Sequence, residues 1–89
     1  MIRPVETRDL DAIAMIESRL FQRPLGRGDL EQLKARPASR GFVFQDTGAR
    51  VTSYALFLYA GTSADVVSLG TDPKAVSYTH LRAHETSGY

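Results

Sequence analysis

An α+β domain with helices packed on an antiparallel sheet is the fold class that this 89-residue sequence predicts, and three observations carry it. An apolar stripe at helical spacing occupies residues 7–21, two runs rich in β-branched and aromatic residues flank the turn-forming "DTGA", and a third such run follows "GTS". Together they give the order β, α, α, β, β, β, with no internal repeat and no low-complexity linker. A chain of this length holds one domain, so a fold that needs more strands than these is incomplete.

The first strand is "MIRPV", whose Pro4 has no N–H to donate and therefore suits a strand end or an edge. "TRDLDAIAMIESRLF" then reads as an amphipathic helix. Thr7 stands at the N-cap, Asp9 and Asp11 lie near the positive end of the dipole, and Leu10, Ile13, Ile16 and Leu20, with Ala14, form the buried stripe. "QRPLGRG" is a loop, and "DLEQLKAR" a short helix from Asp29 that stops before Pro37 and docks Leu30 and Leu33 on the core. "GFVFQD" and "ARVTSYALFLYA" make a hairpin in which Asp46 and Gly48 supply the turn chemistry. In its second strand Val51, Ala55 and Phe57 alternate with Tyr54, Leu56 and Leu58, which predicts cover on both faces. A turn at 61–63 leads to the last strand, Ala64 to about Thr71, ended by Asp72 and Pro73.

Composition excludes several function classes. Lys and Arg number 11 against 10 Asp and Glu, so no strong field selects nucleic acid or an anionic membrane. No apolar run approaches a membrane span, and the absence of cysteine removes disulfide and thiolate chemistry. The first ten residues contain no apolar signal core, so the expected location is cytoplasmic.

"IRPVETRDLDAIAMIE" at the start, "VTSYALFLY" on the third strand and "VVSLGTDP" on the fourth resemble the GNAT superfamily of acetyl-CoA-dependent N-acetyltransferases. The resemblance covers residues 1–75 and is strongest to the branch of ribosomal-protein alanine acetyltransferases, where a "GYAL" strand precedes an "SIAVDP"-like one. Here Ser53 stands where that glycine would be, and Gly70 and Thr71 replace the alanine and valine. The resemblance implies the N-terminal half of a GNAT fold and direct attack of a primary amine, on a protein N-terminus or a small molecule, on the acetyl thioester. It implies that Leu69, Gly70 and Thr71 offer backbone groups to the pantetheine arm of acetyl-CoA, which lies against the strand as an added one. Asp65 corresponds to a glutamate base of some relatives; the other reading is a solvated carboxylate at a strand start. Tyr59, and less so Tyr54, are candidates for lining the acceptor groove, against simple strand packing. Arg23 and Arg27 fall in the loop that shapes the substrate side in the family, against a solvated loop.

After its "DP" turn the family carries an arginine- and glycine-rich loop that opens a helix and holds the cofactor's pyrophosphate. Here the chain continues "KAVSYTHLRAHETSGY". Residues 76–86, "VSYTHLRAHET", match the in-frame translation of a transposase-based sequencing-library adapter. The expectation is a partial N-acetyltransferase domain over 1–75, an artefactual tail over 76–89, and an inactive chain with a sheet edge open to non-specific association. His80 and His84, spaced i and i+4, could share a helix face around a metal, but Leu81 occupies the place where the zinc-protease pattern needs a glutamate, so no metal site is expected. The alternative function is a small non-catalytic α+β interaction domain.

Overall fold

The computed structural model describes residues 1–75. The adapter-like tail and the histidine pair lie outside these residues. A first strand, β1 (Ile2–Pro4), leads through a 3-10 turn (Thr7–Asp9) into α1 (Leu10–Leu20), followed by α2 (Arg27–Ala35) and three strands, β2 (Ser39–Gln45), β3 (Val51–Ala60) and β4 (Ser63–Thr71). The strands form one antiparallel sheet in the order β1-β2-β3-β4, so each pairs with the next strand in sequence, the helices intervening between β1 and β2.

Both helices lie on one face of this sheet. Leu10, Ile13 and Ile16 from α1 and Leu30 from α2 meet Val43, Tyr54 and Leu56 from the middle strands, with Val5, Ala14, Leu25, Leu33 and Val51 packed around them. Each such burial contributes about 1.5–3 kcal/mol, which makes this single seam the main source of stability. Val51 reaches the helical side because the register slips by one residue opposite Phe44 and Gln45, a bulge that changes its parity.

The opposite face is apolar and open. Cross-strand rows of Ile2, Phe44 and Ser53 and of Pro4, Phe42, Ala55 and Leu69 stand there, with Ile2 70% and Leu69 57% exposed. Cover on both faces of β3, expected from its unbroken apolar run, is therefore corrected: among the described residues the helices protect one side only.

Three local expectations also change. The cap at the first helix is not Thr7, which starts the 3-10 turn; the Asp9 carboxylate instead accepts the Glu6 N–H at 2.7 Å. The second helix begins two residues early at Arg27, because Asp29 reaches back to the Gly26 N–H at 3.0 Å and Arg27 pairs with Asp11 of α1 at 2.6 Å. In the hairpin, Asp46 Oδ1 accepts from the N–H groups of Gly48 and Arg50, as expected, but the left-handed residue is Ala49, at φ 63°. A Cβ is unfavourable there, so Ala49→Gly is expected to stabilise the protein by about 1 kcal/mol in urea unfolding.

Candidate active site

β4 ends the sheet among the described residues, so along its outer side the backbone N–H and C=O groups are free to pair with another extended chain. Leu69, Gly70 and Thr71 lie on this strand. Leu69 faces the open side, while Gly70 sits across from Tyr54 on the helical side and Thr71 across from Ser53, whose hydroxyl donates to Thr71 Oγ1 at 3.1 Å.

Gly70 has a packing reason of its own. A Cβ there would stand 2.6 Å from Leu20 Cδ1 and 3.0 Å from the Tyr54 hydroxyl. The alanine of the family pattern is thus displaced by the large pair Leu20 and Tyr54. Leu20 can turn outward, whereas Tyr54 is tied down, so Gly70→Ala is expected to cost about 1–2 kcal/mol in urea unfolding.

The other predicted residues do not converge on this edge. Asp65 is exposed near the far end of β4, opposite Leu58, and Tyr59 is 46% exposed opposite Ala64. Arg27 belongs to the helix interface, paired with Asp11 and Glu31. Arg23 lines a cavity of about 430 Å³ between the α1–α2 loop and β4, with Glu17, Phe21, Gln22, Leu25, Val67 and Ser68.

Glu17 is the residue that sequence reasoning missed. It occupies the helical face of Ile13, four residues on, and is only 2% exposed. Its carboxylate gathers three neutral donors: the Leu25 N–H at 3.0 Å to Oε1, and the hydroxyls of Tyr54 and Ser68 to Oε2. One side chain thereby joins α1, the loop after it, β3 and β4. The signal was a lone carboxylate inside an apolar stripe. Burial, then the bond to Glu17, pushes the Tyr54 phenol well above its ordinary value and keeps it a hydrogen-bond donor. Tyr54 is thus a core residue with an anchored hydroxyl.

A bulge shapes the floor of this cavity. Leu56 faces Ser68 and Phe57 faces Val66, so Val67 is the extra residue, and both Val67 and Ser68 line the space beneath the loop. Leu25 and Val67 also line a second cavity of about 430 Å³, with Asp29, Gln32 and Arg36 of the α2 region, so the two cavities share these side chains. At the strand's end Asp72 accepts from Arg19 at 3.1 Å, Arg50 at 2.8 Å and the Lys74 N–H at 3.0 Å. Burial pushes this carboxyl up, but the Lys74 N–H and the two guanidinium groups outweigh it and hold the value below the ordinary one.

This arrangement, two helices on one face of a four-stranded antiparallel sheet with a bulged last strand, is the N-terminal half of the GNAT fold, an α+β architecture. Neither a protein-family model nor a curated protein matches the sequence. Among solved structures, the chain is similar to the ribosomal-protein-S18-alanine N-acetyltransferase of Escherichia coli, at 22% identity and a TM-score of 0.77 over 93% of this chain. It spans about half of that enzyme, 52% of its length. It is also similar to the aminoglycoside 6′-N-acetyltransferase AAC(6′)-Ih of Acinetobacter baumannii, at 10% identity and a TM-score of 0.67 over 96% of this chain and 68% of the other. A protein assigned as a phosphinothricin N-acetyltransferase aligns at 23% identity and a TM-score of 0.60, over 96% of this chain and 64% of its own. No helix among the described residues is long and apolar enough to cross a membrane.

Proposed function

We propose that this sequence belongs to the GNAT superfamily and that its parent protein transfers the acetyl group of acetyl-CoA to a primary amine. The observation that carries this reading is the fold shared with two N-acetyltransferases whose acceptors differ, an alanine of ribosomal protein S18 and an aminoglycoside, and with a protein assigned as a phosphinothricin N-acetyltransferase. Those proteins have in common acylation of a nitrogen, and the sequence resemblance points the same way. The amine would attack the thioester carbonyl, expelling the coenzyme A thiolate, with its own proton removed to a base or through water. Positioning at the β4 edge supplies the catalysis, Leu69, Gly70 and Thr71 taking the cofactor arm. The acceptor is a protein N-terminus or a small molecule, and it approaches through the groove beneath the α1–α2 loop. Tyr59 stands at the end of β3 as a lining residue of the acceptor side, and Asp65 as a base acting through water.

Residues 76–86 carry no arginine- and glycine-rich loop, and we read the stretch 76–89 as translated adapter. Resequencing the source locus without that library chemistry tests this; finding the same tail encoded in the genome sinks it. Without a pyrophosphate holder the 89-residue chain is expected to be inactive and to bind acetyl-CoA too weakly to measure by calorimetry. A micromolar dissociation constant for this chain would overturn that expectation, whereas acetylation of an amine by the protein encoded at the intact locus would support the family reading.

A further inference from the structure

We propose that the cavity between α2 and the β1–β2 side of the sheet binds a small organic acid, its hydrocarbon body among the core side chains and its carboxylate at Lys34 and Arg40. The site lies at the opposite end of the sheet from β4 and does not rest on the acetyl-transfer reading.

The cavity measures about 170 Å³. Val5, Leu10, Leu30, Leu33 and Leu56 wall it, and Leu10, Leu30 and Leu56 are core residues no more than 5% exposed, so the space reaches from the surface into the apolar seam. Gly41 sets its floor. A Cβ there would stand 2.8 Å from Val5 Cγ2 and 3.0 Å from Leu56 Cδ2, so these two side chains settle onto the strand where a Cβ would prop them up. An apolar cavity of about 150 Å³ holds a benzene-sized body, and this one is of that size.

Its mouth is cationic. Lys34 and Arg40 line the cavity and are exposed, and no acidic residue lines it. Between Glu31 and Asp46 the chain carries Lys34, Arg36 and Arg40 and no carboxylate. None of these three forms an ion pair among the described residues, whereas Arg3, Arg8, Arg19, Arg27 and Arg50 all do. Arg40 Nη1 donates to the carbonyls of Pro37 at 2.9 Å and Ser39 at 2.7 Å, while its Nε and Nη2 have no partner among the described residues. The half-buried Ser39 lies on the same lining and adds a hydroxyl donor. Exposed cations hold an anion weakly by themselves, so the apolar body carries the affinity and the charge selects among bodies of that size.

The test is titration of the full 89-residue chain with benzoate, benzyl alcohol, acetate and benzylammonium at matched ionic strength. The readouts are the amide ¹H–¹⁵N shifts of Leu33, Lys34 and Gly41. Saturable shifts are expected with benzoate, weaker ones with benzyl alcohol, and none with acetate or benzylammonium. Lys34→Gln should weaken benzoate binding about threefold, and Lys34→Gln with Arg40→Gln about tenfold, with benzyl alcohol unaffected. Leu33→Phe, which fills the cavity, should abolish binding of both. Should Leu33→Phe lose its folded spectrum, the charge variants decide, because both positions are exposed. Absence of a saturable benzoate shift in the native chain, equal affinity for benzoate and benzylammonium, or unchanged benzoate affinity in the double charge variant overturns the proposal.

Discussion

Replacing Asp9 by alanine is expected to lower the stability of the fold by about 3 kcal/mol, which places it among the most damaging single changes outside the apolar core. Asp9 is 3% exposed, and Arg3 grips both its oxygens, at 2.7 and 2.8 Å, while Arg3 Nε donates to Gln45 Oε1 at 2.9 Å. The same carboxylate accepts the Glu6 N–H at the start of the helical turn. Its removal leaves a largely covered guanidinium with only the more distant Glu6 carboxylate, at 3.8 Å, and an uncapped turn, and β1 loses its tie to the turn that starts α1. Asp9→Asn keeps one acceptor and should lose about half as much. The Arg3 hydrogen bond holds the Asp9 carboxyl below its ordinary value of 3.8, against the upward push of burial. A depressed folded value means that the stabilisation is complete above that ordinary value and is lost as pH falls through the folded one. Urea midpoints should therefore be flat from neutral pH down to about pH 5 and fall below about pH 4, where the native protein converges toward Asp9→Ala. Asp72 is shifted in the same direction, so the variant shows a shallower acid fall and not its disappearance. An acid limb as steep in Asp9→Ala as in the native chain would contradict the assignment.

The order of elements and the sheet were legible in the sequence because period-2 and period-3.6 apolar patterns report directly on which side is buried. Leu10, Ile13, Ile16 and Leu30 are in the core where that pattern puts them, whereas Leu20, expected in the same stripe, is 38% exposed at the end of α1. What the pattern could not carry was the second face of the sheet. An unbroken apolar run in β3 is the same string whether its far side is packed or open, and here Phe42, Phe44 and Leu69 stand exposed. The bulges were hidden for a related reason: an extra residue at Val67 changes parity without any change in composition, and β-branched residues suit both positions. Caps were misplaced by two or three residues because Thr7, Asp9 and Asp29 all belong to the capping class, and the choice among them is made by tertiary partners such as Arg3.

Of the candidate site, a family resemblance pointed at Leu69, Gly70 and Thr71, which lie on the edge strand β4, and their role toward a cofactor is a proposal. Glu17 was passed over because a lone carboxylate, even inside a helical stripe, reads as its polar edge. Its burial depends on two hydroxyls, Tyr54 and Ser68, that are 37 and 51 residues away in sequence. Long-range polar satisfaction of this kind leaves no periodic trace.

Glu17→Ala is the second large effect, about 3–5 kcal/mol, and it tests the architectural role of this carboxylate. Truncation strands the Leu25 N–H and the hydroxyls of Tyr54 and Ser68 in a covered region, each worth about 1–3 kcal/mol when unpaired, and water from the adjoining cavity recovers part of that. Because the three donors come from the α1–α2 loop, β3 and β4, the loop should loosen first. Hydrogen exchange at the Leu25 amide is expected to be slow in the native chain and in Glu17→Gln, whose Oε1 still accepts that N–H, and fast in Glu17→Ala. The double variant Glu17→Ala with Tyr54→Phe should lose less than the sum of the two single losses, since removing the phenol also removes one stranded donor. Strict additivity would mean that the Tyr54 hydroxyl does not depend on Glu17. Normal Leu25 protection in Glu17→Ala would mean that the loop is held by its apolar contacts alone. What the loop needs at this position is an acceptor and not a charge: Glu17→Gln should keep the loop closed where Glu17→Ala opens it, and loosening in both variants would mean that the charge is part of the tie.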